Sequence, residues 1–348
     1  MNEFLKELQD SARQVMTDAG TPAKEESTWP LVVELGWLLT AVPEEQDGLG
    51  LGLEGLCTLH SELGRNLAEV PYLPATLSID ALCYSQLADK ADWVGRFTMG
   101  ELATTSLVDP NLTATKAGDS WRFDGSLSAV QSADNASHLL VWSSDGQCVA
   151  LVAMAADGVE ATARSTWDTT RRLFDVTLTG ATAEAVLAEG EAAQALVARI
   201  TNGRDFGLAA DALGGAEALL ALTIEHLQTR VQFGRPLALF QALKHRCADL
   251  KTEIAAATAL LNDTLTAVAD DLGSRDAVYR GKKVKYLAAS TYAMVVEDSL
   301  QLHGGIGMAS EYPCHLYLKR SMLSDHLGTG SGEYQTEIAD TFLANLAG

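Results

Sequence analysis

Hydrophobic positions recur every three or four residues at both ends of the chain and every second residue in its middle, and this change of period marks three zones. Residues 1–97 read as helices separated by Pro/Gly breaks. In PEEQDGLGLGLEGLCTLHSELGR the turn cluster stops one helix. Leu53, Leu56, Leu59 and Leu63 then place one apolar face on the next. In residues 98–187, HLLVWSSDGQCVALVAM is a pair of apolar runs around Ser144-Asp145-Gly146, which predicts a hairpin. Trp121-Arg122-Phe123 and the run from Leu173 to Leu178 also alternate, so this zone reads as a small all-β domain. In residues 188–348 the period returns to helical. Phe240, Leu243, Cys247, Leu250, Ile254, Ala257, Leu261, Leu265 and Val268 form one long stripe. Leu213, Ala216, Leu220, Ile224 and Leu227 form a second. Val284, Leu287, Thr291, Met294, Asp298 and Leu302 form a third, with Asp298 out of character. Long helices with short connections predict an antiparallel bundle, and the class is α+β, mainly α.

Composition narrows the function classes. A hydrophobic content of 47% over 348 residues supports a sizeable core. Twenty-five Lys and Arg against 46 Asp and Glu leave a net charge of −21. That charge repels phosphate backbones and argues against nucleic acid as a partner, while leaving room for a local positive patch that holds a small anion. Cys57, Cys83, Cys148, Cys247 and Cys314 are scattered, without metal or redox spacing. Cys247 lies on an apolar stripe and reads as a small hydrophobe. The start of the chain lacks an apolar signal core, and the charge-free run Ser299–Ser310 is too short and polar to span a bilayer. The expectation is a cytoplasmic protein with no membrane span.

Two segments carry candidate chemistry. In RVQFGRPLALFQALKHRCADL, Gly234 and Pro236 break one helix before the next begins. Arg230 and Arg235 are cations there, and guanidinium matches phosphate oxygens with a planar fork of donors. Spacing alone serves equally a helix corner with a solvated arginine. In QLHGGIGMASEYPCHLYLKR, Gly304, Gly305 and Gly307 end the third helix and permit close backbone approach. Alone, that turn is a glycine cap, and His303 is a satisfied structural histidine.

Together the two segments resemble the C-terminal domain of the acyl-CoA dehydrogenase family, where an arginine–phenylalanine–glycine corner with a following glutamine precedes a Gln-x-x-Gly-Gly-x-Gly turn. The N-terminal PEEQDGLGLGLEG stretch is similar to that family's as well. The resemblance covers nearly the whole chain. It implies an N-terminal helical domain, a middle β-barrel and a C-terminal four-helix bundle. It also implies FAD as cofactor, with a second protomer reaching over its diphosphate. Carried onto this chain, Arg230, Phe233, Gln241, Gln301, Gly304 and Gly305 contact FAD held mainly by a partner protomer. The implied reaction is α,β-desaturation of an acyl-CoA thioester. A carboxylate takes the α-proton while hydride leaves the β-carbon for the flavin, and an electron-transfer flavoprotein is the usual acceptor.

The chain departs from that family in two places. The glutamate that serves as base near the C-terminus falls at Gly328, or at Leu327 in a shifted alignment, within HLGTGSGEYQTEIA. The alternative base position, early in the first bundle helix, falls at Arg204, which stays protonated. The segments that line the protomer's own flavin are reduced to Asp109-Pro110 and Leu127-Ser128-Ala129-Val130. The half-site that reaches across an interface is intact and the half-site that holds flavin and base is eroded. This resembles the short, base-less subunit of actinobacterial α2β2 acyl-CoA dehydrogenases, whose substrates include steroid and other bulky acyl-CoA side chains. The expectation is a hetero-oligomer with a longer subunit. The alternatives are a self-sufficient enzyme with a displaced base (Asp205, Asp211, Asp298 or Glu333) and a non-catalytic scaffold of the same fold.

Overall fold

The computed structural model describes residues 3–118, 120–268 and 271–347. The chain begins with five helices, α1 (Glu3–Ala19), α2 (Glu25–Glu34), α3 (Gly52–Arg65), α4 (Tyr72–Cys83) and α5 (Lys90–Thr98). The leucine periodicity settles α3 as expected: Leu56, Leu59 and Leu63 are buried, and Leu53 packs at the margin of the core. Helix α4 is buried on nearly every face, because it lies between the other helices and the sheet that follows.

Eight strands come next: β1 (Ala103–Thr105), β2 (Asn111–Ala117), β3 (Ser120–Gln131), β4 (His138–Trp142), β5 (Cys148–Ala153), β6 (Val159–Ala163), β7 (Leu173–Thr182) and β8 (Ala185–Glu189). They form two four-stranded sheets, ordered β1-β4-β5-β8 and β2-β3-β7-β6, which an isolated bridge between Ser106 and Val130 links. Only β1–β4 is parallel among the described pairings. The predicted hairpin joins β4 to β5 through residues 143–147, with Gly146 at φ +69° as a tight turn requires. Strand β4 is buried throughout instead of alternating. Leu139 and Val141 face the other sheet, while Leu140 and Trp142 face the helices.

The remainder is helical. Helix α6 (Gly190–Thr229) runs 40 residues and absorbs the second predicted stripe. A short hairpin, β9 (Val231–Gln232) and β10 (Arg235–Pro236), leads into α7 (Gln241–Val268), then α8 (Arg275–His303), α9 (Cys314–His326) and α10 (Ser331–Ala347). Helix α6 is long and apolar enough to span a bilayer by composition, but most of it is buried within this core. Its glycines set how closely it packs. A Cβ at Gly214 would overlap the Ser61 carbonyl of α3, and one at Gly64 would overlap the Asp211 carbonyl. The two backbones therefore cross with nothing between them. Asp298, anomalous on its stripe, is explained by an ion pair with Arg246 of α7.

Candidate functional site

The two motif segments meet in space. The His226 ring, one turn before the end of α6, stacks on the His303 ring at the end of α8, with centroids 4.6 Å apart and planes inclined by 27°. The corner at 230–241 and the turn at 304–308 thus project from adjacent helix ends. In the corner, Phe233 at φ +53° and Gly234 at φ +76° form the two left-handed positions of a tight hairpin turn. A bulky residue is strained at positive φ, and here the turn leaves the Phe233 ring 88% exposed. Its edge meets Phe240, and the Arg235 guanidinium lies over the Phe240 face at 4.0 Å. Arg230, Arg235, Gln241 and Gln301 are exposed. Gly304 closes α8 at φ +63°, and beside Gly304 and Gly305 the space for a side chain is open. Val231, Leu239, Ile306 and Met308 are exposed along the same two segments. Exposed apolar side chains beside arginines and a bare glycine backbone suit a surface that another molecule covers. This donor set fits a dinucleotide diphosphate: cations for charge, amides for hydrogen bonds and glycine for approach.

The positions expected for a base lie on a different part of the molecule, where the helices meet the sheets. Gly328 and Arg204, far apart in sequence, come together there. Gly328 sits at φ +78°, and its N–H donates to the Leu107 carbonyl at 2.7 Å. A Cβ at this position would stand 2.7 Å from the Tyr334 hydroxyl and 3.1 Å from Asp205 Oδ1. Tyr334 is fully buried. Its hydroxyl donates to Asp205 Oδ2 at 2.7 Å and accepts from the Thr329 N–H at 3.1 Å. Arg204, 2% exposed, donates to Asp205 Oδ1 at 3.3 Å and to Asp109 Oδ1 at 2.7 Å. Burial works to free the Arg204 proton, but Asp205 and Asp109 outweigh it and hold the proton more firmly than usual. The place expected for a base therefore holds a permanent cation, an engaged carboxylate and a phenol.

The apolar side of this junction is closed. Leu73 and Leu77 of α4, Leu107, Ala129, Leu173, Leu208 and Leu327 form one buried cluster. Ala129, on the strand the resemblance assigns to flavin, takes φ +53°, and its carbonyl accepts from the Leu107 N–H at 3.2 Å. Outside the cluster lies a cleft of about 430 Å³ between the β4–β5 turn, α6 and α8. Asp109, Asp145, Asp205 and Glu337 line it against Arg204 and Lys282. Both cations are already paired, Lys282 with Glu337 at 2.7 Å and Arg204 with its two aspartates.

The other carboxylates considered as displaced bases are engaged or exposed. Asp211 pairs with Arg171 at 2.9 Å and Arg320 at 3.4 Å, and Asp298 with Arg246. Burial opposes ionisation of Asp211, yet Arg171 and Arg320 pull its pKa below the ordinary carboxylate value. Glu333 is exposed on α10. Sequence reasoning did not find Tyr334, Arg171, Arg320 or Leu208, since none stands in a spacing that signals its partners. The single available signal was a surplus of buried-helix charges in GRDFGLAAD.

Known proteins resemble this chain in sequence and fold. The family model of the acyl-CoA dehydrogenase C-terminal domain matches residues 195–343. Acyl-CoA dehydrogenase IpdE2 of Mycobacterium tuberculosis is 31% identical over 300 residues, which span 85% of this chain and 80% of that one. Acyl-CoA dehydrogenase FadE27 of the same organism is 28% identical over 333 residues, 90% of this chain and 88% of that one. Among solved structures, a variant of the Tcur3481-Tcur3483 steroid ACAD superimposes with a TM-score of 0.89 at 31% identity, over 99% of both chains. The ChsE4-ChsE5 complex from Mycobacterium tuberculosis has a TM-score of 0.88 at 24% identity, over 99% of this chain and 98% of that one, and speaks to the fold.

Proposed function

The chain belongs to the acyl-CoA dehydrogenase family, and from that premise we propose that it is the base-less subunit of a hetero-oligomeric, FAD-dependent acyl-CoA dehydrogenase. In this reading it completes FAD sites on a longer catalytic subunit. Arg230, Phe233, Gln241, Gln301, Gly304 and Gly305 approach the diphosphate end of FAD from across the interface. FAD supplies the hydride-accepting chemistry when bound. The α-proton goes to a carboxylate of the longer subunit, a reading supported by the glycine and arginine at this chain's two expected base positions. The observation that carries the reading is the closed network of Gly328, Tyr334, Asp205 and Arg204. It fills both places where a base would stand. The acidic cleft beside it adds support, since four carboxylates there disfavour the phosphates of a coenzyme A chain.

The proposed substrate class is a bulky acyl-CoA of the steroid side-chain type, a reading supported by the likeness to the Tcur3481-Tcur3483 steroid ACAD. An electron-transfer flavoprotein is the proposed acceptor, and the cytoplasm the proposed compartment. The test is to purify the chain alone and with a longer homologue encoded beside it. The expected result is a colourless lone chain without dehydrogenation and a yellow, active complex. A lone chain that retains stoichiometric flavin and turns over acyl-CoA would sink the proposal. A stable but colourless complex would favour the scaffold reading.

A further inference from the structure

The stacked histidines lie between the two segments assigned to the interface, and neither has been given a task. His303 is 5% exposed and is satisfied on both ring nitrogens. Its Nδ1–H donates to the Ser299 carbonyl at 2.7 Å, a partner that can only accept. Its Nε2 lies 3.2 Å from the Tyr312 hydroxyl, which then donates to it. Burial, rather than this pattern, favours the neutral ring, since a cation so enclosed loses its hydration. A proton on Nε2 would reverse the Tyr312 bond, with the hydroxyl oxygen accepting. His226 covers the other side of the ring, and Tyr312 also approaches His226 edge-on at 6.5 Å.

The charged and titratable groups around the pair act in one direction or are silent. Just past α6, Arg230 disfavours a cation at His226, and Glu225 lies on α6 one residue before it. On α9, the Cys314 sulfur lies 3.8 Å from His303 Nδ1, with its thiol pushed up by burial to about 12 and so neutral. On the connecting segment, burial raises Tyr312 as well. Burial lowers both histidines; at His303 the bond to the Ser299 carbonyl opposes it and His226 adds to it.

We propose that His226 and His303 are positioning residues: their stacked, neutral rings hold the 230–241 corner in register with the 304–308 turn, and a proton on either ring releases one segment from the other. The functional consequence rests on the reading that this face meets FAD of a longer subunit. The register itself does not. Because the folded rings hold protons less tightly than unfolded ones, the contribution is complete above about pH 6.5 and is lost as the pH falls below it.

The test is amide hydrogen exchange on the full chain, corrected for intrinsic rates, from about pH 7.5 to about pH 5.5. Residues 231–236 and 304–308 are expected to lose roughly two- to tenfold protection on acidification, the range an aromatic pair supplies, while the middle of α6 keeps its own. The double variant His226→Phe, His303→Phe keeps two stacked rings that cannot titrate, and its exchange at both segments should be flat across that range. His303→Ala should lose the protection already at neutral pH. Protection in the unsubstituted chain that does not change with pH, or a Phe/Phe variant that still loses it, would overturn the proposal. FAD titration of the complex with the longer subunit separates the two readings. Exchange that follows the prediction while FAD affinity is indifferent to pH counts against the FAD assignment of this face, and the register stands.

Discussion

Gly328 shows how much one residue decides. Its φ of +78° suits glycine, and the volume a side chain would need is held by the Tyr334 hydroxyl and Asp205. Restoring a carboxylate there is therefore a different experiment from restoring a base. Gly328→Glu is expected to destabilise the chain by about 1–3 kcal/mol, from backbone strain and overpacking. The lone chain should gain no acyl-CoA dehydrogenation. Denaturant midpoints and turnover with an artificial electron acceptor check both halves, and measurable turnover in this variant would contradict the account of the closed network. Arg204 makes the same point at the other expected base position. Its residue type announced in sequence that no base stands there. Its two aspartate partners, one in a loop before β2 and one adjacent on α6, became visible only in three dimensions.

At the scale of elements, the crossing of α3 on α6 is among the tightest described. Gly64 and Gly214 sit where each helix backbone meets the other's carbonyls. Gly214→Ala inserts a methyl where no space exists. It also raises intrinsic helix propensity, by about 1 kcal/mol. The overlap is with backbone, which cannot rotate away, so the overpacking cost governs. The expected outcome is a net loss of about 1–3 kcal/mol by denaturant unfolding. A variant as stable as the parent would mean that the helices slide apart without cost. The hairpin between α6 and α7 works differently. It buries little, presents Phe233 to solvent, and holds it with a strained turn. A segment this exposed is better placed to meet another surface than to stabilise its own fold.

At the scale of the whole molecule, one guanidinium ties the three zones. Arg320 on α9 is 1% exposed. It donates to the Ala68 carbonyl after α3 at 2.8 Å, to Thr170 Oγ1 before β7 at 2.9 Å, and to Asp211 of α6 at 3.4 Å. Arg171 closes the cluster against Asp211. Arg320→Met leaves Asp168, 3.6 Å from the guanidinium, and Asp211 short of a cation inside the core. The expected cost is about 3–5 kcal/mol, the range for breaking a buried pair. Calorimetry should show a broader transition, since the helices and sheets lose a common tie. A single sharp transition at the parental temperature would show that the zones are held by apolar packing alone.

The sequence by itself determined the order of the zones, the long helices and the β4–β5 hairpin, because period and turn chemistry are local properties of the chain. It also marked the corner, the turn and, through the resemblance, the two positions where a base is expected, because residue type alone excludes glycine and arginine from that role. Three features were decided only by the tertiary structure. They are the meeting of Gly328 with Arg204 around Tyr334, the leucines that close the junction, and the histidine stack that joins corner to turn. Each depends on contacts between residues distant in sequence. Such contacts are fixed by how the helices pack, and no spacing along the chain records them.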